Sequence, residues 1–319
     1  MTPSGTYRFW QPLALAGALC FAYWAVLAKL SLDWWDDPNY SHGLLVPFVM
    51  AYLLWEERAY FQDAAKRPNI WLGGALVAAA LLALWFGVAG AELYLQRLSL
   101  LLMLAGLTVY FWGLPLLRWV AMPLFLLWLA MPVPAIIFNR VAFPLQLFAS
   151  RCAVSAMQGM EIPVVRQGNI IELLPLGATT TKKLEVADAC SGVRSLMALV
   201  TLAAVLAYLG RPGRNKRGGG DGGWRATLTS FSLWRGIFIV GCAVPIAILT
   251  NALRVSGTGI LAHYYGTRVA EGFFHTFSGW AIYLVAFALL LAATWLFDRV
   301  ARLRLKTEAT DANVAPQTV

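Results

Sequence analysis

Charged residues are scarce in this chain. Asp, Glu, Lys and Arg make up 13% of its 319 residues, whereas hydrophobic residues make up 60%. A soluble domain of this length carries about twice that charged fraction. The composition therefore excludes an ordinary soluble protein and predicts a chain that folds in lipid.

Cysteine and histidine are also few, with four cysteines and three histidines in the chain. The cysteines show no CxxC spacing and no metal-ligand pattern, and neither HExxH nor GxSxG occurs. We therefore expect no metal and no cofactor. Cys20 and Cys242 lie inside apolar runs and are interpreted as small packing residues.

Long apolar runs are what the sequence has in abundance. A bilayer core is crossed by about 20 apolar residues, and Met1 to Ala28 reads as a retained anchor rather than a cleaved signal peptide. We predict an all-α polytopic membrane protein with about eight transmembrane helices. The predicted spans are 10–30, 43–57, 70–89, 95–112, 116–132, 190–209, 234–254 and 276–297.

The basic residues predict the orientation. The formal net charge is +9, and with the N-terminus inside, 15 of the 25 Lys and Arg residues fall on cytoplasmic segments. This distribution predicts a membrane protein with both termini in the cytoplasm. The basic charge then reports topology and contact with membrane lipid, and we expect no nucleic-acid partner.

Two segments between spans predict a small periplasmic cap over about residues 133–188. Residues 133–160 read as an amphipathic helix. Residues 162–173 read as a β-hairpin with a Gly-Asn turn, and Lys182 to Asp188 as a third strand. We expect one transmembrane domain over 1–306, interrupted by a Gly/Arg-rich cytoplasmic loop at about 210–233. A polar tail follows at 307–319.

Three chemically distinctive residues fall at the outer membrane face of this topology. Cys190 opens the sixth span, Arg254 closes the seventh and His275 opens the eighth. A helix N-terminus favours a thiolate, histidine can move a proton, and arginine can hold an oxyanion. This set suits acyl transfer through a thioester.

Each of the three residues also has a plainer interpretation. Cys190 can be a packing residue, Arg254 can reach to lipid headgroups, and His275 can belong to an interfacial belt. Spacing alone leaves these alternatives open. Arg194, Asn251, Asp188 and His42 are supporting candidates: Arg194 as a second anion-holding group, Asp188 (with Glu185) as a group that orients His275, and His42 as a residue of the first outer loop.

The motifs around these residues resemble those of the exosortase/archaeosortase family. The similarity extends over about residues 34–295, and five segments carry it: Tyr40-Ser-His-Gly-Leu44, Val165-Arg-Gln-Gly-Asn-Ile-Ile-Glu172, Ala187-Asp-Ala-Cys-Ser-Gly-Val-Arg-Ser-Leu196, Asn251-Ala-Leu-Arg254, and Phe274-His275 with Gly279-Trp280.

The resemblance implies a multi-pass cysteine protease or transpeptidase of the bacterial inner membrane. Its substrates would be exported proteins that carry a C-terminal PEP-CTERM sorting signal, its acceptor nucleophile is unknown, and it would be linked to exopolysaccharide or biofilm production. The family's cysteine, arginine and histidine correspond to Cys190, Arg254 and His275.

Three other classes stay open from the residues. A transporter or polysaccharide polymerase/export subunit would use Arg254 and His275 to bind an anionic carrier and would not need Cys190. An aspartyl intramembrane protease is suggested by Gly218-Gly-Gly-Asp221, although no span offers a second aspartate. A structural subunit would tolerate loss of all three residues.

Overall fold

The computed structural model describes residues 7–59, 67–185, 193–210, 231–266 and 273–314. The chain divides into two compact units, Met1–Ala135 and Ile136–Val319. The helices of the first unit are α1 (Tyr7–Ala22), α2 (Trp24–Asp36), a short 3-10 helix (Ser41–Leu44), α3 (Val46–Glu56), α4 (Ile70–Ala89), α5 (Leu93–Phe111) and α6 (Leu114–Leu129).

The second unit contains four helices and a small sheet. Its elements are α7 (Ala135–Gln158), β1 (Val164–Gln167), β2 (Ile170–Leu173), β3 (Lys182–Glu185), α8 (Val193–Leu209), α9 (Phe231–Tyr265) and α10 (Phe273–Val314). α10 continues to Val314, so the first eight residues of the predicted polar tail are helical.

In the first unit, α4 and α5 form a helical hairpin whose close packing depends on small residues. A Cβ built on Gly73 would lie 2.4 Å from the backbone of Tyr110. Gly106 packs in the same way on the opposite helix, where a Cβ would lie 3.0 Å from the backbone nitrogen of Val77. Small residues let membrane helices approach closely, which increases van der Waals contact where hydrophobic burial drives little association.

The first predicted span is a bent pair of helices rather than one straight helix. α1 and α2 meet at Tyr23 with an angle of 69° between them. The Tyr23 side chain is buried among Val26, Ala80 and Leu100, and the Ser99 hydroxyl lies 3.2 Å from its hydroxyl. The bend is therefore fixed by tertiary packing.

Four described helices are long and apolar enough to cross a membrane: α4, α5, Ser232–Tyr265 of α9 and Gly279–Leu303 of α10. The bent pair α1–α2 would make a fifth. The other predicted spans coincide with α3, α6 and α8, which are apolar but only 11, 16 and 17 residues long. The chain is a polytopic membrane protein. Eight apolar helical segments coincide with the eight predicted spans when α1–α2 is counted as one, and up to five of them are long enough to cross a membrane.

Helices α8, α9 and α10 of the second unit pack into a three-helix bundle. Its core is formed by alanines that let the helices approach, together with a few larger side chains: Leu199, Ala203, Ala207, Ile239, Ala243, Ala247, Ala286 and Leu290. At one end of the bundle, Arg235 of α9 forms an ion pair with Asp298 of α10, with Nε 2.6 Å from Oδ1.

The remaining part of the second unit is a helix–sheet module made of α7 and the three strands. The sheet is antiparallel in the order β1-β2-β3, with Val164 opposite Leu173 and Ile171 opposite Leu184. The amphipathic helix predicted over 133–160 is present as α7, and the predicted hairpin is present as β1 and β2. The third strand is present as β3 to Glu185, and the rest of its predicted range lies outside the described residues. The module packs on the last third of α9 through the cluster Ala149, Ala153, Val154, Met157, Ile162, Val164, Ile171, Leu173, Val255 and Ala262.

Candidate active site

The polar character of α9 changes sharply along its length. Residues 237–249 contain only apolar residues and one cysteine. The next 14 residues contain six polar or charged side chains: Thr250, Asn251, Arg254, Ser256, Thr258 and His263. Thr250 and Asn251 are 0% and 4% exposed. Arg254 therefore lies where the apolar part of the helix ends, as expected for a residue at the edge of the hydrocarbon.

Asn251, Arg254 and Thr258 lie on one face of α9, because residues three and four apart on a helix are neighbours. Asn251 is buried and Arg254 is half-buried. The Thr258 hydroxyl donates to the Arg254 carbonyl at 2.9 Å. This face gives the helix a polar strip at the level where the sequence predicts an oxyanion-holding arginine.

The Arg235–Asp298 pair marks the opposite end of the bundle. Gly210 ends α8 beside the same guanidinium, since a Cβ built on it would lie 3.1 Å from both terminal nitrogens of Arg235. Gly210, Arg235 and Asp298 therefore share one end of α8, α9 and α10. Nineteen residues of helix separate Arg235 from Arg254, which corresponds to about 28 Å.

The starts of α8 and α10 lie at the same end as Arg254. Val193 precedes Gly210 by 17 residues and His275 precedes Asp298 by 23, or about 26 Å and about 34 Å of helix. These lengths bracket the roughly 30 Å of a bilayer core. The structure thus brings the backbones of Arg254, His275 and the first residue of α8 to one end of the bundle.

The other predicted site residues have different positions. Cys190 and Asp188 lie outside the described residues, between the end of β3 and the start of α8. His275 is the third residue of α10. Arg194 is the second residue of α8 and is exposed.

His42 belongs to the first unit, where it lies in the 3-10 helix beside Tyr40. The two rings stack with their centroids 6.4 Å apart, and His42 Nε2 is buried with no hydrogen-bond partner among the described residues. Burial lowers the pKa of His42, while the backbone carbonyls of Leu129 and Asn39 oppose the shift. The ring is held as neutral imidazole in this environment.

Arg97 is a buried charged group that the sequence analysis does not single out. Arg97 of α5 is almost fully buried, forms an ion pair with Asp33 at the end of α2, and donates to the Pro132 carbonyl at 3.3 Å. An arginine inside a predicted span is a signal that could have identified it. The contacts described for Arg97 join parts of the first unit, so we assign it a structural role.

A metal site is not evident in the part of the chain that the structure describes, where no three His, Cys, Asp or Glu side chains cluster. The candidate site therefore consists of the polar face of α9 that carries Arg254 and the first residues of the two neighbouring helices, α8 and α10.

Comparison with known proteins identifies the family. The family model described as "Transmembrane exosortase (Exosortase_EpsH)" matches residues 34–219 and 222–292, well over half of the chain. No curated protein and no solved structure shows a significant match. The match covers all five segments on which the sequence resemblance was based. The chain therefore belongs to the transmembrane exosortase family.

Proposed function

We propose that this protein is a cysteine protease or transpeptidase that cleaves the C-terminal PEP-CTERM sorting signal of exported proteins through a thioester on Cys190. Family membership suggests a membrane sorting protease or transpeptidase acting on exported proteins. The substrate signal, the thioester and a link to exopolysaccharide or biofilm production are the finer parts of the proposal.

One observation carries the proposal. Arg254 and the starts of α8 and α10, which follow Cys190 and hold His275, share the end of the bundle that is opposite to the Arg235–Asp298 pair. The three motif residues are 64 and 21 residues apart in sequence. The structure describes Arg254 and the helix starts next in sequence to the other two motif residues at one end of three packed helices, which supports a shared site.

The proposed reaction begins with the Cys190 thiolate, after its proton has passed to His275. The sulfur attacks the scissile carbonyl carbon, and the oxyanion that forms is stabilised by Arg254 in a site of low dielectric. The C–N bond then breaks, and the departing amine takes the proton from the His275 imidazolium. This step leaves an acyl thioester on Cys190.

The thioester is resolved by a second nucleophile. Water would release a carboxylic acid and an amine on another molecule would form a new amide, with the thiol regenerated in both cases. Asn251 lies one turn before Arg254 on the same face of α9 and is proposed to orient it. Arg194 and Asp188 are secondary candidates, for a second anion contact and for orientation of His275.

We propose a topology in which eight segments span the inner membrane, both termini are cytoplasmic, and the helix–sheet module forms a periplasmic cap. The basic loop between α8 and α9 adjoins the Arg235–Asp298 end of the bundle, which supports a cytoplasmic location for that end. The site would then face the periplasm. A substrate's transmembrane tail packing beside α8–α10 would present its motif there.

The test is co-expression of a tagged PEP-CTERM protein with the wild type and with Cys190→Ser, Arg254→Ala or His275→Ala. We expect the three variants to leave the substrate unprocessed. Cys152→Ser and Cys242→Ser are matched controls, because they remove a cysteine from α7 and α9 without touching the motif, and both should process normally.

Normal processing by Cys190→Ser would overturn the thioester mechanism and favour the transporter class, for which that cysteine is dispensable. Loss of processing in the Cys152→Ser control would show that any cysteine loss disturbs the protein. Labelling of a single added cysteine at Lys183 by a membrane-impermeant maleimide on intact spheroplasts would test the periplasmic position of the module.

A further inference from the structure

The helix–sheet module is bound to α9 by a histidine that the proposed reaction does not use. His263, in the last turn of α9, is buried, and its Nδ1 lies 2.7 Å from the Leu174 carbonyl just after β2. A carbonyl oxygen can only accept, so Nδ1 carries the proton and donates it. The backbone amide of Leu176 donates in return to the His263 carbonyl at 2.8 Å.

These two bonds join the end of a helix to the end of a strand. The last carbonyls of a helix lack intrahelical partners. Here the Leu176 amide satisfies one of them, and the Gly266 amide satisfies the Ala262 carbonyl at 3.1 Å. Next to this junction, Met157 of α7 packs onto Gly259, where a Cβ would lie 2.5 Å from the sulfur. The sheet is therefore fixed to the part of α9 beyond Arg254.

The two described elements that flank Cys190 in sequence, β3 and α8, are both held by α9. β3 pairs with β2, which ends at the His263 contact. α8 packs on α9 through Leu199 and Ala247. Seven residues, 186–192, connect β3 to α8, and a chain of that length reaches at most about 28 Å. Arg254 lies on α9 between the two attachment regions.

We infer that His263 is a positioning residue: its hydrogen bond to Leu174 holds the sheet on α9 and so sets where β3, the strand that precedes Cys190 in sequence, ends relative to Arg254. The inference rests on the proposed function. A reacting group displaced by about 1 Å can lose about 100-fold in rate. Loss of the bond is therefore expected to slow the chemical step more than it weakens substrate binding.

Three substitutions separate hydrogen bonding from packing. The amide nitrogen of asparagine, like Nδ1, is bonded to Cγ, so His263→Asn can restore the donor at the same place. His263→Gln places its donor one atom further out, and His263→Leu has none. Ser150→Ala is the matched control, because the buried Ser150 hydroxyl donates to the Gly168 carbonyl at 3.1 Å and ties the hairpin to α7 rather than to α9.

With purified full-length protein in nanodiscs and a tagged substrate, we expect kcat to fall at least about 10-fold in His263→Leu and His263→Gln, with KM within about twofold. His263→Asn should recover kcat to within about threefold of the wild type. Ser150→Ala should stay within about twofold. Equal losses in His263→Asn and His263→Leu would overturn the role of the hydrogen bond.

A distance measurement makes the test independent of activity. Spin labels at Lys183→Cys on β3 and Gly257→Cys on the exposed face of α9, with the four native cysteines replaced by serine, report the position of the sheet on the helix. We expect a narrow distance distribution for His263 and His263→Asn and a broadened one for His263→Leu. An unchanged distribution in His263→Leu would overturn the tether itself.

A broadened distribution with unchanged kcat would overturn the positioning role. If Cys190→Ser processes the substrate normally, the proposed function fails and the catalytic half of this inference fails with it. The spin-label distances then decide alone whether His263 holds the sheet, so the two failures are distinguishable.

Discussion

Arg235 and Asp298 form a bidentate ion pair between α9 and α10, with Nε–Oδ1 at 2.6 Å and Nη2–Oδ2 at 2.8 Å. The arginine side chain is almost fully buried. The paired geometry matches the planar guanidinium to both carboxylate oxygens. It fixes the register of the two helices at the end of the bundle opposite to Arg254.

Removal of the carboxylate should destabilise the bundle strongly. Asp298→Asn leaves the buried Arg235 without its counter-charge, which costs about 3 kcal/mol. Arg302→Ala is the control, since Arg302 is exposed and its Nε donates to the Asp298 backbone carbonyl. Unfolding in detergent micelles, followed by tryptophan fluorescence, measures the difference. Equal midpoints for the two variants would contradict a net stabilising pair.

The α4–α5 hairpin should not tolerate a methyl group at Gly73. Gly73→Ala would place Cβ 2.4 Å from the Tyr110 backbone, which cannot move aside as a flexible side chain can, and overpacking of this kind costs about 1–3 kcal/mol. Gly74→Ala is a control one residue away, with nothing within 4 Å of its Cβ. We expect it to be neutral or slightly stabilising, because alanine favours helix. Thermal unfolding of both variants measures this, and similar destabilisation by the two would show that the close packing is not the cause.

Hydropathy and short motifs could predict most of the elements of this fold. The described parts of all eight predicted apolar runs are mainly helical, because in lipid the backbone of an apolar segment satisfies its hydrogen bonds internally as a helix. The hairpin at residues 164–173 followed from its Gly-Asn turn, and the family from five motifs. Cys190, Arg254 and His275 as a catalytic set stay a prediction.

What the sequence could not predict depends on contacts between distant residues. The bend at Tyr23 has no proline or glycine beside it and comes from packing on α4 and α5. The seventh predicted span ends at residue 254, yet α9 continues to Tyr265, where Val255 and Ala262 are buried against the helix–sheet module. The Arg97–Asp33 pair joins residues 64 apart, a distance at which local patterns give no signal.

The contact between α7 and α9 should be sensitive to side-chain size at Gly259. Gly259→Leu would push the Met157 thioether, fully buried in the module, out of its place, and we expect destabilisation of about 1–3 kcal/mol. Gly257→Leu is the control, because Gly257 has open space around its Cβ. Limited proteolysis of the module in nanodiscs reports the effect. The double variant Met157→Ala/Gly259→Leu should recover part of the lost stability. No recovery would show that the clash with the Met157 side chain is not the cause of the destabilisation.

The first unit should lose stability as the pH falls, through His42. Burial lowers the pKa of this ring below its ordinary value of 6.5, so the folded state holds fewer protons than the unfolded state. The contribution of neutral His42 to the free energy of unfolding is complete above about pH 6.5. It is lost as the pH falls through the lower pKa that His42 has in the folded protein. His42→Gln cannot titrate and should therefore have a shallower decrease of melting temperature between pH 7 and pH 5. Thermal unfolding of both proteins across this range measures the two slopes. Because both proteins carry the same carboxylates, the contribution of those groups cancels in the difference between the slopes. Parallel curves would show that His42 does not bind its proton more weakly in the folded protein.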